Sequence, residues 1–311
     1  MTVNPTILRA MNRAYRHGHE TLSTKSVFEV RQYYKHQASQ NLAKIAFEEH
    51  LVKDGVFLRI FRPNASNDCF PVVLYFRANG YVLGGIDDTN RFCHHLARYL
   101  QCHVIAIEPR LSPETKFPEP FEDAIAAIQY LYQNHVVLNL NIKKMCLWGE
   151  SSGGNLAASI AHYFKKENID LISHQILFYP MLDYSNSQNY RSKALYAKGY
   201  MMENALSDWF LSHYVRDKQD FQDERVSPLL AENFEGLPQT FMIGAQYDPM
   251  RDEAACYIKM LQKSNVTVSA LFVPGMIHGF LWYYERINIV RQVVKSAADY
   301  IKEHLVLQSV G

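Results

Sequence analysis

A serine set among small residues carries the clearest chemistry in this chain. Gly149-Glu150-Ser151-Ser152-Gly153 follows the apolar run "KKMCLW" and precedes Gly154-Asn155 and an apolar helical stretch. Strand, G-x-S-x-G, helix describes a turn so sharp that only small residues fit two before and two after the serine. The turn lifts the Ser151 hydroxyl above a sheet and sets it at a helix N-terminus. Backbone N–H groups and the helix dipole favour negative charge there. The competing reading is a plain glycine-rich turn.

A hydroxyl attacks a carbonyl only when a base takes its proton and a third group orients that base. Downstream, "QTFMIGAQYDPMRDEA" places Asp248 just past a strand pattern, and "VTVSALFVPGMIHGF" places His278 just past the next. Serine, then aspartate, then histidine is the order expected on this sheet type, and all three fall after strand ends, so they can converge. Asp248 precedes Pro249 and could simply cap the following helix. Asp252 and Glu253 are nearby carboxylates that could take its role. His278 is one of 13 histidines. It is preferred because it lies between Gly275 and Gly279 on a loop after the last strand, a place expected to keep it near the solvent-facing edge. His94 and His95 lie within a helix pattern instead.

These groups need a scaffold, and the periodicity supplies one. "AKIAFEEHLV" and "VFLRIFRP" flank Asp54-Gly55, a strong hairpin signal. "PVVLYF" suits a strand buried on both faces. Thereafter helices and strands alternate. "DTNRFCHHLARYL" precedes "HVIAIE", a helix from about Pro118 to Gln133 precedes "KKMCLWG", and a helix from near Ser151 precedes "HQILFYP". Then come "QTFMIGA", a helix from about Asp252 to Gln262, "VTVSALFV", and a last helix from about Asn288 to Glu303. This rhythm predicts an α/β fold with a mostly parallel sheet and helices on both faces. Residues 184–236 break it, being rich in Tyr and Trp, with "ENALSDWFLSHYV" reading as an amphipathic helix. One domain over residues 1–311 is expected, with a cap formed by about residues 1–40 and 184–236. The competing reading makes both segments helical decoration on the core.

Bulk properties narrow the function classes. With 311 residues, 48% of them hydrophobic, the chain can bury a large core. A net charge of +1 removes any broad electrostatic reason to expect nucleic acid or an acidic membrane surface as partner. The five cysteines (Cys69, Cys93, Cys102, Cys146 and Cys256) form no CxxC pair, so they read as reduced small residues rather than a disulfide frame or zinc site. No signal peptide and no membrane span are visible, which predicts a cytoplasmic protein.

"GESSGGN", "QYDPMRDEA" and "GMIHGF", together with "EPRLSPETKFPEPFEDA", "FYPMLD" and "SPLLAENFEGLPQTFMIGAQYDPMRDEA", resemble the conserved blocks of the hormone-sensitive-lipase-like branch of the α/β-hydrolase fold. The likeness spans roughly residues 45–305 in order. It implies an eight-stranded sheet with a helical cap. It implies a serine carboxylesterase for short- to medium-chain acyl or aryl esters, with Ser151 as nucleophile, His278 as base and Asp248 as orienting acid. The oxyanion hole would be the backbone N–H groups of Asn79, Gly80 and Ser152. No cofactor or metal is implied. The partner would be a small apolar ester, and homodimerisation is left open.

The chain departs from that family at an important place. The loop that reads His-Gly-Gly-Gly in the family reads Arg77-Ala78-Asn79-Gly80 here. No N–H donor is deleted, but a residue with a Cβ pays about 1–2 kcal/mol for a glycine-like positive φ. Arg77 is expected to replace the histidine structurally, held by a carboxylate or carbonyls; the sharper alternative is a contact to a substrate carboxylate. Pro109 replaces a usual aromatic and Ser152 a usual alanine, neither removing a group the mechanism needs. Two alternatives stay open: a catalytically impaired, small-ligand-binding protein on the same fold, and an amide or lactone hydrolase with the same triad.

Overall fold

Gly55, at φ +73°, closes a tight hairpin between β1 (Glu48–Lys53) and β2 (Val56–Phe61), as Asp54-Gly55 predicts. The computed structural model that shows this describes residues 2–35, 45–63, 71–185 and 187–303. β2 then pairs antiparallel with β4 (His103–Glu108). The β1–β2 pair is also antiparallel, and the pairings from β4 onward are parallel: β3 (Pro71–Phe76), β5 (Asn141–Glu150), β6 (Ile172–Phe178), β7 (Gln239–Tyr247) and β8 (Val268–Ile277) complete the order β1-β2-β4-β3-β5-β6-β7-β8. The fold class is therefore an eight-stranded, mostly parallel α/β sheet, as expected. β3 lies between β4 and β5 with all six residues buried, which is why "PVVLYF" runs apolar without alternation.

The helices are α1 (Pro5–Arg16), α2 (Val27–Lys35), α3 (Asn90–Leu100), α4 (Glu119–Asn134), α5 (Ser152–Lys166), α6 (Arg191–Leu195), α7 (Asn204–Tyr214), α8 (Arg251–Lys263) and α9 (Asn288–Ile301). Two apolar layers sandwich the sheet. One is built from α4, α5 and α8, with Phe121, Leu131, Leu156, Phe164 and Tyr257. The other is built from α1, α3 and α9, with Ile7, Leu96, Trp148, Val290 and Ile301. Fully burying each such side chain contributes about 1.5–3 kcal/mol, so the two layers hold the strand ends rigidly.

The N-terminal helices and the 184–236 segment meet each other. Leu22 and Val30 share an apolar cluster with Val82, Leu83, Leu206, Trp209 and Phe210. The Trp209 indole N–H donates to the Lys25 carbonyl at 3.0 Å, and the Tyr15 hydroxyl donates to Glu203 at 2.8 Å. His19 Nε2–H donates to the Met201 carbonyl at 2.6 Å, and burial pushes this imidazole below its ordinary range. Arg31 reaches from α2 to the Val82 and Ser112 carbonyls and to Glu114. The loop after β3 is thus roofed by parts of the chain far apart in sequence.

Among the described residues no group of His, Cys, Asp and Glu could hold a metal ion, and no helix is long and apolar enough to cross a membrane. Cys93, Cys102 and Cys146 are buried free thiols and Cys256 is half-buried. Cys69 lies outside the described residues.

Candidate active site

Ser151, Asp248 and His278 are each the first residue past a strand, namely β5, β7 and β8. A parallel sheet brings those three ends to one side. Ser151 takes φ 52° and ψ −119° between β5 and α5. A Cβ on Gly149 would lie 2.2 Å from the Gly153 carbonyl oxygen, and a Cβ on Gly153 would lie 2.2 Å from the Phe76 carbonyl oxygen. Those two contacts are the physical reason for the small residues on either side of the serine.

The Ser151 Oγ is 2.7 Å from His278 Nε2, and His278 Nδ1 is 3.0 and 3.1 Å from the two oxygens of Asp248. An ionised carboxylate only accepts hydrogen bonds, so the proton belongs on Nδ1 and the Nε2 lone pair faces the serine hydroxyl. Asp248 also accepts the Met250 N–H at 2.8 Å. It therefore braces the turn before α8 while facing the imidazole, but it is not the helix cap the sequence allowed, since the N-cap residue is Met250 and has no side-chain capping bond. The other carboxylates are engaged elsewhere. Asp252 accepts the Ser192 N–H, and Glu253 accepts the Leu182 and Asp183 N–H groups and pairs with Lys193. His94 and His95 sit on α3 against each other, and His95 also lies against Tyr284.

One expectation needs correction. His278 is only 6% exposed, with Ser151 at 4% and Asp248 at 1%, so the imidazole is not at a solvent-facing edge. The Tyr179 ring packs on it with centroids 5.0 Å apart. Tyr179 in turn donates to Glu150 at 2.7 Å, and Tyr75 donates to the other oxygen of the same carboxylate. Burial pushes the Glu150 carboxyl above its ordinary range, against those hydrogen bonds.

The loop after β3 solves its backbone problem without strain at Asn79. The positive φ values fall on Gly80 (56°) and Tyr81 (64°). The Tyr81 N–H donates to Asn79 Oδ1 at 2.7 Å, so the side chain of Asn79 braces the turn it enters. Gly80 is needed for space, since a Cβ there would lie 2.5 Å from the Phe210 ring of α7. Arg77 is 7% exposed and fixed by a two-point pair, Nε to Glu108 Oε2 at 2.8 Å and Nη2 to Oε1 at 2.6 Å. A carboxylate thus holds it, as expected.

Two of the three expected oxyanion donors, the N–H groups of Asn79 and Gly80, converge, and they converge on a side chain. The N–H groups of Asn79 and Gly80 donate to the side-chain Oγ of Ser152, at 3.1 and 2.9 Å, and that hydroxyl donates to Asn79 Oδ1 at 2.9 Å. The Ser152 N–H, at the first residue of α5, has no intrahelical acceptor by helix geometry.

Sequence reasoning missed Asn155. It is fully buried, donates to the Met181 and Val226 carbonyls at 2.8 and 2.9 Å, and accepts from the Tyr81 hydroxyl. It ties the serine's helix to the roof segment and to the loop after β3. Its signal was a lone amide on the apolar face of a buried helix.

The profile of the alpha/beta hydrolase fold matches residues 73–282. The chain is 30% identical over 240 residues to an arylesterase of Saccharolobus solfataricus, covering 76% of each. It is 28% identical to an ethyl acetate hydrolase of Pseudomonas putida, covering 81% of this chain and 80% of that one. Its fold superposes on a hyperthermophilic esterase from the archaeon Pyrobaculum calidifontis with a TM-score of 0.88 at 27% identity, covering 97% and 99% of the two chains.

Proposed function

Because the chain belongs to the α/β-hydrolase family, in its hormone-sensitive-lipase-like branch, we propose that it is a carboxylic ester hydrolase working through a covalent acyl-enzyme on Ser151. The observation that carries this reading is the unbroken hydrogen-bonded chain from Ser151 through His278 to Asp248.

The chemistry follows from the geometry. Ser151 Oγ attacks the ester carbonyl while His278 Nε2 takes its proton, and Asp248 stabilises the imidazolium that forms. The tetrahedral oxyanion is met by the N–H groups of Asn79, Gly80 and Ser152. Its collapse breaks the bond to the alkoxy oxygen, which leaves as an alcohol with the proton from His278. Water, deprotonated by His278, then attacks the acyl carbonyl, and release of the carboxylic acid regenerates Ser151.

The substrate is a short- to medium-chain acyl or aryl ester. The N-terminal helices and residues 184–236 act as a cap over the site, and their apolar cluster around Phe210 and Trp209 supports an apolar substrate. Release of p-nitrophenol from its acetate and butyrate esters tests the proposal. Ser151→Ala is expected to lower turnover by more than about 10³-fold. Equal rates in the two proteins would overturn it.

A second reading, a small-ligand-binding protein on the same fold, draws on one observation: the loop N–H donors are already occupied by Ser152. The same comparison separates the two. Amide and lactone substrates in parallel define how far the acyl transfer extends.

A further inference from the structure

We propose that Ser152 plugs the oxyanion site of the resting enzyme with its own hydroxyl, so that a substrate carbonyl oxygen must displace it before the reaction can proceed. The proposal rests on the esterase reading above. Two N–H groups from one loop converge on a single acceptor, Ser152 Oγ, at 3.1 and 2.9 Å. Those are the distances at which such donors hold an oxyanion. A hydroxyl has one hydrogen to donate and two lone pairs to offer. Here all three are used, since its hydrogen goes to Asn79 Oδ1 at 2.9 Å. Ser152 is 0% exposed, so no bulk water competes for it.

The two residues involved are both departures from the family's pattern, Asn79 at a glycine position and Ser152 at an alanine position. In the structure they hydrogen-bond each other. Asn79 supplies an N–H to the hydroxyl and accepts its hydrogen through Oδ1, which also accepts the Tyr81 N–H. The asparagine thus orients the serine oxygen with its lone pairs toward the loop donors.

A neutral hydroxyl is a weaker acceptor than an alkoxide, because hydrogen bonds to charged groups are roughly twice as strong. A developing oxyanion therefore wins the donors, but only after the hydroxyl has left them. A cavity of about 20 Å³ lined by Asn79, Ser152, Gly153 and Leu156 adjoins it. That is room for about one water-sized group, enough to receive the rotated hydroxyl. The plug is a barrier to turnover rather than a block.

A structural tie between loop and helix makes the opposite prediction. If Ser152 merely held the loop in place, losing its hydroxyl would loosen the donors and slow the enzyme. The test compares kcat/KM on p-nitrophenyl butyrate for the wild-type protein and Ser152→Ala, with Ser151→Ala as the baseline. The inhibition constant of an alkyl trifluoromethyl ketone, whose serine adduct carries an oxyanion, is measured on the first two. Ser152→Ala is expected to raise kcat/KM by about tenfold or more, the worth of one or two net hydrogen bonds, and to bind the ketone tighter by a similar factor. Unchanged or lower activity in Ser152→Ala, with wild-type turnover still dependent on Ser151, overturns the plug and leaves the esterase reading standing. If neither protein exceeds Ser151→Ala, both fall together.

Discussion

The guanidinium of Arg77 and the carboxylate of Glu108 face each other in a buried, two-point pair at 2.6 and 2.8 Å, directly before the loop that presents the Asn79 and Gly80 N–H groups. Removing one partner strands a buried charge. Glu108→Gln is expected to destabilise the fold by about 3–5 kcal/mol and to lower turnover as the loop shifts. Urea unfolding and p-nitrophenyl ester kinetics read both effects. A variant with unchanged midpoint and rate would mean that the pair does not hold the loop.

The choice of orienting acid is open to direct test. Asp248→Asn should lower kcat by the order of 10³–10⁴-fold, because an amide facing Nδ1 favours the wrong tautomer. Asp252→Asn should leave kcat within a few-fold, since Asp252 serves the Ser192 N–H and not the imidazole. The reverse pattern would reassign the acid.

Gly153 has no room for a side chain, because the clash at 2.2 Å is with a backbone oxygen that cannot swing away. Gly153→Ala is expected to cost more than about 2 kcal/mol and to abolish turnover. Gly85→Ala is the control: it has open space around it and an extended φ of −164°. Thermal melts that rank the two variants equally would refute the packing account of the turn.

Phe210 lies against Gly80 and would form part of the wall between cap and oxyanion loop. Phe210→Ala should shift the preferred p-nitrophenyl ester toward longer acyl chains by opening space there. A chain-length profile from acetate to octanoate measures this. An unaltered profile would move the acyl pocket elsewhere.

Burial holds the His162 imidazole down from 6.5 to about 4, among Phe234 and Tyr257. Its folded value lies below its unfolded one, so the unfolded chain binds more protons between those limits. The resulting stability is present above about pH 6.5 and is lost as pH falls toward 4, at up to about 1.4 kcal/mol per unit. His19, also lowered by burial, acts in the same direction. His162→Gln should flatten the fall in the urea midpoint between pH 7 and 5; an unchanged slope would place the acid sensitivity elsewhere.

Much of this was legible because it is local. Period-two and period-3.6 apolar patterns depend on neighbours within a few residues, and so does the need for small residues around Ser151. The hairpin at Gly55 and the placing of Ser151, Asp248 and His278 just past strands followed from such patterns. The burial of His278 did not, since the Tyr179 ring that covers it comes from beyond a different strand. Asn155 was missed because its partners, Met181, Val226 and Tyr81, lie on three separate segments.

The sequence by itself determined the strand–helix rhythm, the sharp turn at Ser151 and the order of the three polar groups after their strands. It also marked Asn79 and Ser152 as departures, one at a time. Only the tertiary structure decided that Asp248 rather than Asp252 faces the imidazole, that positive φ falls on Gly80 and Tyr81 rather than Asn79, and that the Ser152 hydroxyl sits on the loop's N–H groups. The reason is physical. Periodicity and turn sterics act along the chain, whereas a hydrogen bond between residues 73 apart exists only once β3 and β5 lie side by side.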